Sequence, residues 1–227
     1  MPAVSPRCFA LALLAALLLP TIARAAGSEE TWYVEAFTQA DGTPTERAMW
    51  SKGRKFRDQI VVAGIPAVTL VNGDTYYAID ELHAVGVAIQ RSPKALALDA
   101  KGGRPFLDEA ARIEAEGAEK VRTERVAGRA CDVYRVTNDD GKREAWLTQD
   151  ALRLPVRIEV YSRASDTTSV TYLNWQRGME LPDAFFEPDP RVHLERMGWQ
   201  EYLERLGKGP VGPVPILYTD LLLGPRS

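Results

Sequence analysis

Cysteine and histidine are almost missing from this chain, and their scarcity removes whole classes of chemistry. Only two cysteines occur in 227 residues, Cys8 and Cys131. Cys8 precedes an apolar run laid out like an export signal, so an exported chain would keep Cys131 alone and could form no intrachain disulfide. Stability then has to come from a core, and Cys131, on an alternating segment, reads as a small buried hydrophobe. The two histidines, His83 and His193, stand at no metal-ligand spacing from each other or from Cys131, so no zinc site is expected. No Gly-x-Ser-x-Gly elbow, phosphate-cradling loop or dinucleotide fingerprint occurs either. Asp139-Asp140-Gly141 lacks the closing glutamate of a calcium loop, and Asp150 has no acidic neighbour for paired acid/base work. Asp80-Glu81-Leu82-His83 is the one compact cluster of acid and imidazole, and it reads as a solvated loop. The expectation is a protein without catalytic constellation, metal or cofactor.

Long apolar runs are also lacking. The longest near the N-terminus, Phe9 to Leu19, is about 11 residues, against roughly 20 for a helix that crosses the hydrocarbon. With Arg7 before it and Ala23-Arg24-Ala25 after it, this is the layout of a cleavable signal peptide over residues 1–25, cut near Ala25. Loss of Arg7 and Arg24, with no acid, takes the formal charge from −3 to −5. So acidic a chain makes a poor partner for nucleic acid. About 200 remaining residues suit one domain with a substantial core.

What is abundant is strand pattern. Thr31 to Thr38, Glu46 to Ser51, Lys55 to Ala63, Ala67 to Val71, Thr75 to Ile79 and Ala84 to Ile89 follow one another between turn residues, with Asn72-Gly73 as the strongest hairpin signal. Between Ser92 and Gly117 the composition shifts to Ala, Leu and Glu, which predicts short helices over Pro93 to Leu98 and Asp108 to Glu116. Phe106, Leu107, Ala110, Ala111 and Ile113 would lie on one side of the second. Strand patterns resume from Glu119 and run through Val126, Ala130 to Thr137, Glu144 to Thr148, Pro155 to Ser162 and Thr167 to Trp175. A further helix is expected from Val192 to Leu206, ending at Gly207, and beyond a Gly/Pro linker the run Val214 to Leu223 is unusually apolar for a terminus. The fold class is mainly β (α+β): a large curved antiparallel sheet forming an unclosed half-barrel covered by short helices. The most basic short segment, Gly53 to Arg57, reads either as the charged face of a half-exposed strand or as a cationic docking spot through Arg54 and Arg57.

The order of several segments carries a family resemblance. Met49-Trp50-Ser51-Lys52-Gly53-Arg54-Lys55-Phe56-Arg57, Leu70 to Ala78, Gly128 to Val136, Trp146 to Asp150, Leu154 to Glu159, Val170 to Trp175 and Leu181 to Phe186, with a helical insert between the second and third, resemble the periplasmic lipoprotein-carrier (LolA-like) and outer-membrane lipoprotein-sorting superfamily. The resemblance implies a half-barrel domain over 26–190, with 191–227 as an added C-terminal helix and apolar tail. It also implies an inner face that shelters lipid acyl chains or a lipidated protein in the periplasm, as a binding or chaperone protein of lipid or lipoprotein trafficking. An envelope sensor of the same fold, docking a membrane-protein partner through its C-terminal segment, is the alternative. Trp32, Trp50, Phe56, Tyr76, Trp146, Tyr172 and Trp175 are the aromatic candidates for the cavity wall, and ordinary core is their structural reading. Arg54 is the positional match to an arginine that handles cargo in such carriers. Those carriers begin with a helix that has no counterpart before Thr31, so the C-terminal segment is the piece expected to occupy or cap the cavity.

Overall fold

The computed structural model describes residues 30–40, 43–99, 108–139, 141–163 and 167–224. The signal peptide expected over 1–25 lies outside them, as do Phe106 and Leu107. The strands are β1 (Thr31–Ala40), β2 (Thr43–Lys52), β3 (Lys55–Val62), β4 (Ile65–Asn72), β5 (Thr75–Asp80), β6 (Val85–Gln90), β7 (Glu119–Val126), β8 (Arg129–Asn138), β9 (Gly141–Thr148), β10 (Pro155–Ser162), β11 (Thr168–Arg177) and β12 (His193–Met197). The helices are α1 (Pro93–Asp99), α2 (Glu109–Ala115), α3 (Trp199–Leu206) and α4 (Thr219–Leu223).

All twelve strands form one sheet in the order β12-β6-β5-β4-β3-β2-β1-β11-β10-β9-β8-β7. Two meanders, β1 to β6 and β7 to β11, are therefore joined edge to edge by the antiparallel β1–β11 pair. Neither end pairs with the other, so the sheet is an unclosed half-barrel, as its pattern predicts. Tight turns set the register. Ala63-Gly64 and Ala127-Gly128 both hold positive φ at their two central positions, the backbone that matches the twist of a hairpin. At the Asn72-Gly73 signal the reversing pair is shifted by one residue. Asn72 pairs with Thr75, and Gly73, at φ 59°, takes the first central position.

The helix expected from Val192 to Leu206 is corrected. Its first part is strand β12, which pairs in parallel with β6, and only Trp199–Leu206 is helical. Leu194 and Met197 stand at helical spacing, but in the strand they take opposite faces, Met197 in the main core and Leu194 against the outer Val68, Leu70 and Ile79 cluster. The open edge of β6 decides for the strand, because unpaired N–H and C=O groups there need partners. Gly86 makes the approach possible. A Cβ on it would stand 2.7 Å from the Ala78 carbonyl oxygen and 3.1 Å from Leu194 Cδ2.

Alternation along each strand separates two faces. The inner face carries the main core, with Trp32, Val34 and Ala36 from β1, Met49 from β2, Phe56 from β3, Tyr76 from β5, Leu147 from β9 and Tyr172 from β11. Ala110 and Ile113 of α2 cover the β8–β9 side, Tyr202 of α3 lies near β6, and Val211, Val214 and Leu222 of the C-terminal segment join the same cluster. Ala111 of α2 is exposed. The outer face holds two smaller clusters, one around Cys131, Val133, Trp146 and Val156 and one around Val68, Leu70 and Ile79.

Candidate functional site

The inner face is apolar by strand parity, and five of the seven aromatic candidates meet there. Trp32, Phe56, Tyr76 and Tyr172 belong to the main core, and Trp175 packs against it. Trp175 reaches this side through a β-bulge. Asn174 sits at φ 53°, the pairing with β1 slips between Tyr33 and Glu35, and the extra residue turns the indole inward. Trp175 then meets Trp32 edge-on at 6.2 Å and Tyr172 at 6.2 Å between ring centroids. An alternation count from Tyr172 alone places Trp175 on the wrong side.

Trp50 and Trp146 do not join this wall. Met49 and Ser51, both buried, take the inward positions of β2, so Trp50 faces out and packs on Tyr33 and Phe185 at 5.2 and 5.3 Å. Trp146 lies in the outer cluster, where its Nε1 donates to Glu124 at 2.7 Å and Arg122 and Arg157 stand over its ring.

The basic segment also faces outward, against a strap formed by residues 181–186. Lys52 and Lys55 both pair with Asp183, at 2.7 and 3.0 Å. Arg57 donates to the Phe185 carbonyl at 3.1 Å and to Glu81 at 3.3 Å. Burial lowers the Arg57 pKa, against the raising effect of Glu81. Arg57, Val68, Leu70, Ile79, Ala184, Phe185 and residues 187–192 are among the lining of a cavity of about 840 Å3, but the floor side chains Val68, Leu70 and Ile79 are buried, with Val192 and Leu194 packed against them. Arg54 is exposed in the β2–β3 turn. Arg54 and Arg57 therefore lie apart from the inner face.

The occupant of the β2–β6 side of the inner face is the chain's own C-terminal segment. The Tyr218 ring meets Phe56 edge-on at 4.9 Å, and the Arg47 guanidinium lies 5.2 Å from its centre. Its hydroxyl lies 3.3 Å from Met49 Sδ, and its N–H donates to the Tyr76 hydroxyl at 3.2 Å. Leu222 is fully buried; removing such a side chain from water contributes about 2 kcal/mol. Three successive carbonyls are then read from below. Arg91 Nε donates to Leu221 O at 2.7 Å, the Ser92 N–H to Leu222 O at 2.9 Å, and Ser92 Oγ to Leu223 O at 2.8 Å. Arg91 is itself buried, held by Asp99 at 2.6 and 3.0 Å and by Gly73 O at 2.8 Å. Neither Arg91 nor Ser92 stands out in the sequence. A cation followed by a helix-capping serine looks like ordinary α1 entry.

Next to Tyr218 sits a buried carboxylate that sequence reading also misses. Asp58 has no exposed surface and faces inward between Phe56 and Ile60 on β3. Arg47 Nε lies 3.2 Å from its Oδ1. Burial pushes the Asp58 pKa up to about 6, against the lowering effect of Arg47 and of a hydrogen bond from Tyr218. The same burial, with Asp58 nearby, lifts Tyr218 well above its ordinary value, and burial takes Tyr76 to about 12. The Asp80–His83 cluster is a turn device. Asp80 accepts from the His83 N–H at 3.0 Å and meets its Nδ1 at 2.6 Å, with the imidazole mostly exposed. Among the described residues no group of three or more His, Cys, Asp or Glu side chains is gathered for a metal, and no helix is long and apolar enough to cross a membrane.

Residues 104–192 match the model of the family described as a predicted periplasmic protein, DUF2092. No curated protein matches the chain. An uncharacterized conserved protein from Thermus thermophilus superposes with a TM-score of 0.53 at 11% identity, covering 74% of this chain and 90% of that one. The MucA/MucB complex of Pseudomonas aeruginosa is similar at 12% identity and TM-score 0.47, over 74% of this chain and 59% of that one. Lipoprotein LppX of Mycobacterium tuberculosis is similar at 11% identity and TM-score 0.37, over 69% and 91%. With a match to a predicted periplasmic family over residues 104–192 and one open twelve-stranded sheet among the described residues, the chain has an unclosed half-barrel fold, like that of the Thermus protein.

Proposed function

We propose that this is a non-enzymatic periplasmic binding protein, a shelter for a lipid or a lipidated protein on the inner face of the half-barrel, in lipid or lipoprotein trafficking of the outer membrane. One observation carries the reading. The aromatic inner face is closed on its β2–β6 side by a terminal segment behind a Gly/Pro linker, Gly207 to Pro213, and not by strand pairing. A cover of that kind leaves without breaking the sheet, and its departure uncovers an apolar face that needs an apolar occupant. A signal peptide over 1–25 with cleavage near Ala25 would deliver the chain to that compartment. Trp32, Phe56, Tyr76, Tyr172 and Trp175 are the wall in this reading. The half-barrel domain of 26–190 would take β12 from the C-terminal part 191–227, and the cover would lie in the rest of that part.

Organic-solvent extraction of the full chain purified from its own periplasm, followed by mass spectrometry, tests the reading. An amphiphile recovered at a fixed ratio to protein supports it, and repeated recovery of none counts against it. A protein-docking role is favoured by a separate observation, the reading of main-chain carbonyls by Arg91 and Ser92. Since Leu222 is buried, the C-terminal segment would first have to leave the inner face to dock elsewhere.

A further inference from the structure

The contacts that hold residues 214–224 are those of a peptide site. Arg91 Nε, the Ser92 N–H and Ser92 Oγ each take one carbonyl oxygen from three consecutive residues, and the Tyr76 hydroxyl accepts one main-chain N–H four residues before the middle carbonyl. Two side-chain positions complete the match. Tyr218 lies between Phe56 and Arg47, and Leu222, four residues on, is buried in the main core.

The charge state of this groove selects among occupants. Arg91 is bound through two nitrogens by Asp99, so its positive charge is already matched and its Nε is left for a neutral acceptor. An anionic headgroup would meet the Asp99 carboxylate beside the cation. An acyl chain would leave Arg91 Nε and the Ser92 N–H without the carbonyls they now hold, which is costly for each, whereas Ser92 Oγ keeps the Ala95 N–H and Tyr76 keeps Thr69. A row of amide carbonyls with an N–H at its start satisfies all of them.

We infer that this groove is a main-chain-reading peptide site, filled in cis by residues 214–224, that accepts an apolar segment of a partner protein bearing an aromatic residue and a leucine four positions later. The inference rests on the reading of the inner face as a binding face and names a partner class for its β3–β6 side. The chain's own tail acts there as a competitor. Within the linker from Gly207 to Pro213 only Val211 is buried, so the chain beyond Pro213 can leave while Val211 and α3 stay in place.

A fluorescent synthetic peptide of residues 214–224 is the probe, titrated into the full chain and into the full-chain variant Tyr218→Ala/Leu222→Ala. That variant weakens the cis occupant and leaves every groove residue in place. The expected result is binding at least ten-fold tighter to the variant than to the wild type, and lost when the peptide carries the same two alanines. Equal binding to both proteins, or no binding to a variant whose circular dichroism shows the native sheet, overturns the inference. Should the variant fail to fold, hydrogen exchange of the wild type decides. Faster exchange at residues 219–223 under saturating peptide supports the site, and unchanged exchange overturns it. Peptide-driven dimers linked through exchanged tails would assign the groove to a second copy and also overturn it. Recovery of an amphiphile without peptide binding sinks this inference and leaves the lipid reading standing; peptide binding without an amphiphile does the converse.

Discussion

Replacing Asp58 with asparagine should remove a pH-dependent part of the fold's stability, and the structure sets its sign and size. The carboxyl is fully buried, and its pKa rises from 3.8 to about 6. The folded chain therefore holds this proton more tightly than the unfolded chain. Protonation stabilises the fold below the unfolded value, and that stability is lost as pH rises through about 6. At roughly 1.4 kcal/mol per unit, a rise of about two units amounts to ~3 kcal/mol, of which ~2 to 3 falls between pH 4 and pH 8. Asp132 and Asp189, both lowered to about 2 by their cationic and amide partners, push total stability the other way. The difference between wild type and Asp58→Asn isolates the buried group. Urea unfolding of both proteins at pH 4, 5, 6, 7 and 8 should show the wild type losing roughly 2 to 3 kcal/mol relative to the variant across that range. A difference constant to within about 0.5 kcal/mol, or one that grows in the opposite direction, would refute the assignment of Asp58 as a buried, proton-accepting group.

Further outcomes follow from the same contacts. Leu222→Ala should cost about 2 to 5 kcal/mol of docking free energy, seen as faster hydrogen exchange at residues 216–224 with β1 amides still protected. Arg91→Ala, which strands Asp99 and removes a donor from the tail, should lower the melting temperature more than Arg54→Ala, whose side chain lies exposed in a turn. Phe56→Ala should reduce the amphiphile recovered by solvent extraction, whereas Trp146→Phe, on the outer face, should leave recovery unchanged and cost about 1 kcal/mol for the lost Glu124 bond. Burial raises the Cys131 thiol pKa. A thiol reagent should therefore label it only under unfolding conditions; labelling of the native chain would contradict its place in the outer cluster.

Much of the sheet is legible in the sequence because strands such as β1 and β3 bury one side and alternate, while β4 and β9 read as short apolar runs. Phe56, Asp58 and Ile60 share a face while Arg57 and Gln59 take the other, although the strand expected over Lys55 to Ala63 ends at Val62 and Ala63 enters the turn. Short helices α1 and α2 show through their Ala and Leu content. What alternation does not carry is which parity faces inward, and Trp50 and Trp146 fall on the outer side for that reason. Nor does it carry bulges. Trp175 turns inward only because Asn174 adopts a left-handed backbone. Strand β12 is hidden because its two apolar residues, Leu194 and Met197, stand at helical spacing, and a distant edge, β6, makes the choice. Asp58 is invisible as a buried acid until the tail folds over it. The apolar density of Val214 to Leu223 does flag a segment that must be covered, and the structure adds that the half-barrel covers it.

The most direct test of the account is photo-crosslinking of the full chain with an acyl probe carrying a diazirine near its methyl end, mapped by peptide mass spectrometry. Adducts are expected on the inner-face positions of β1 and β11, Trp32 and Tyr172 among them. They are also expected to increase when Tyr218→Ala/Leu222→Ala loosens the tail. Adducts confined to outer-face positions such as Trp50 and Trp146, or a yield indifferent to the tail, would contradict it.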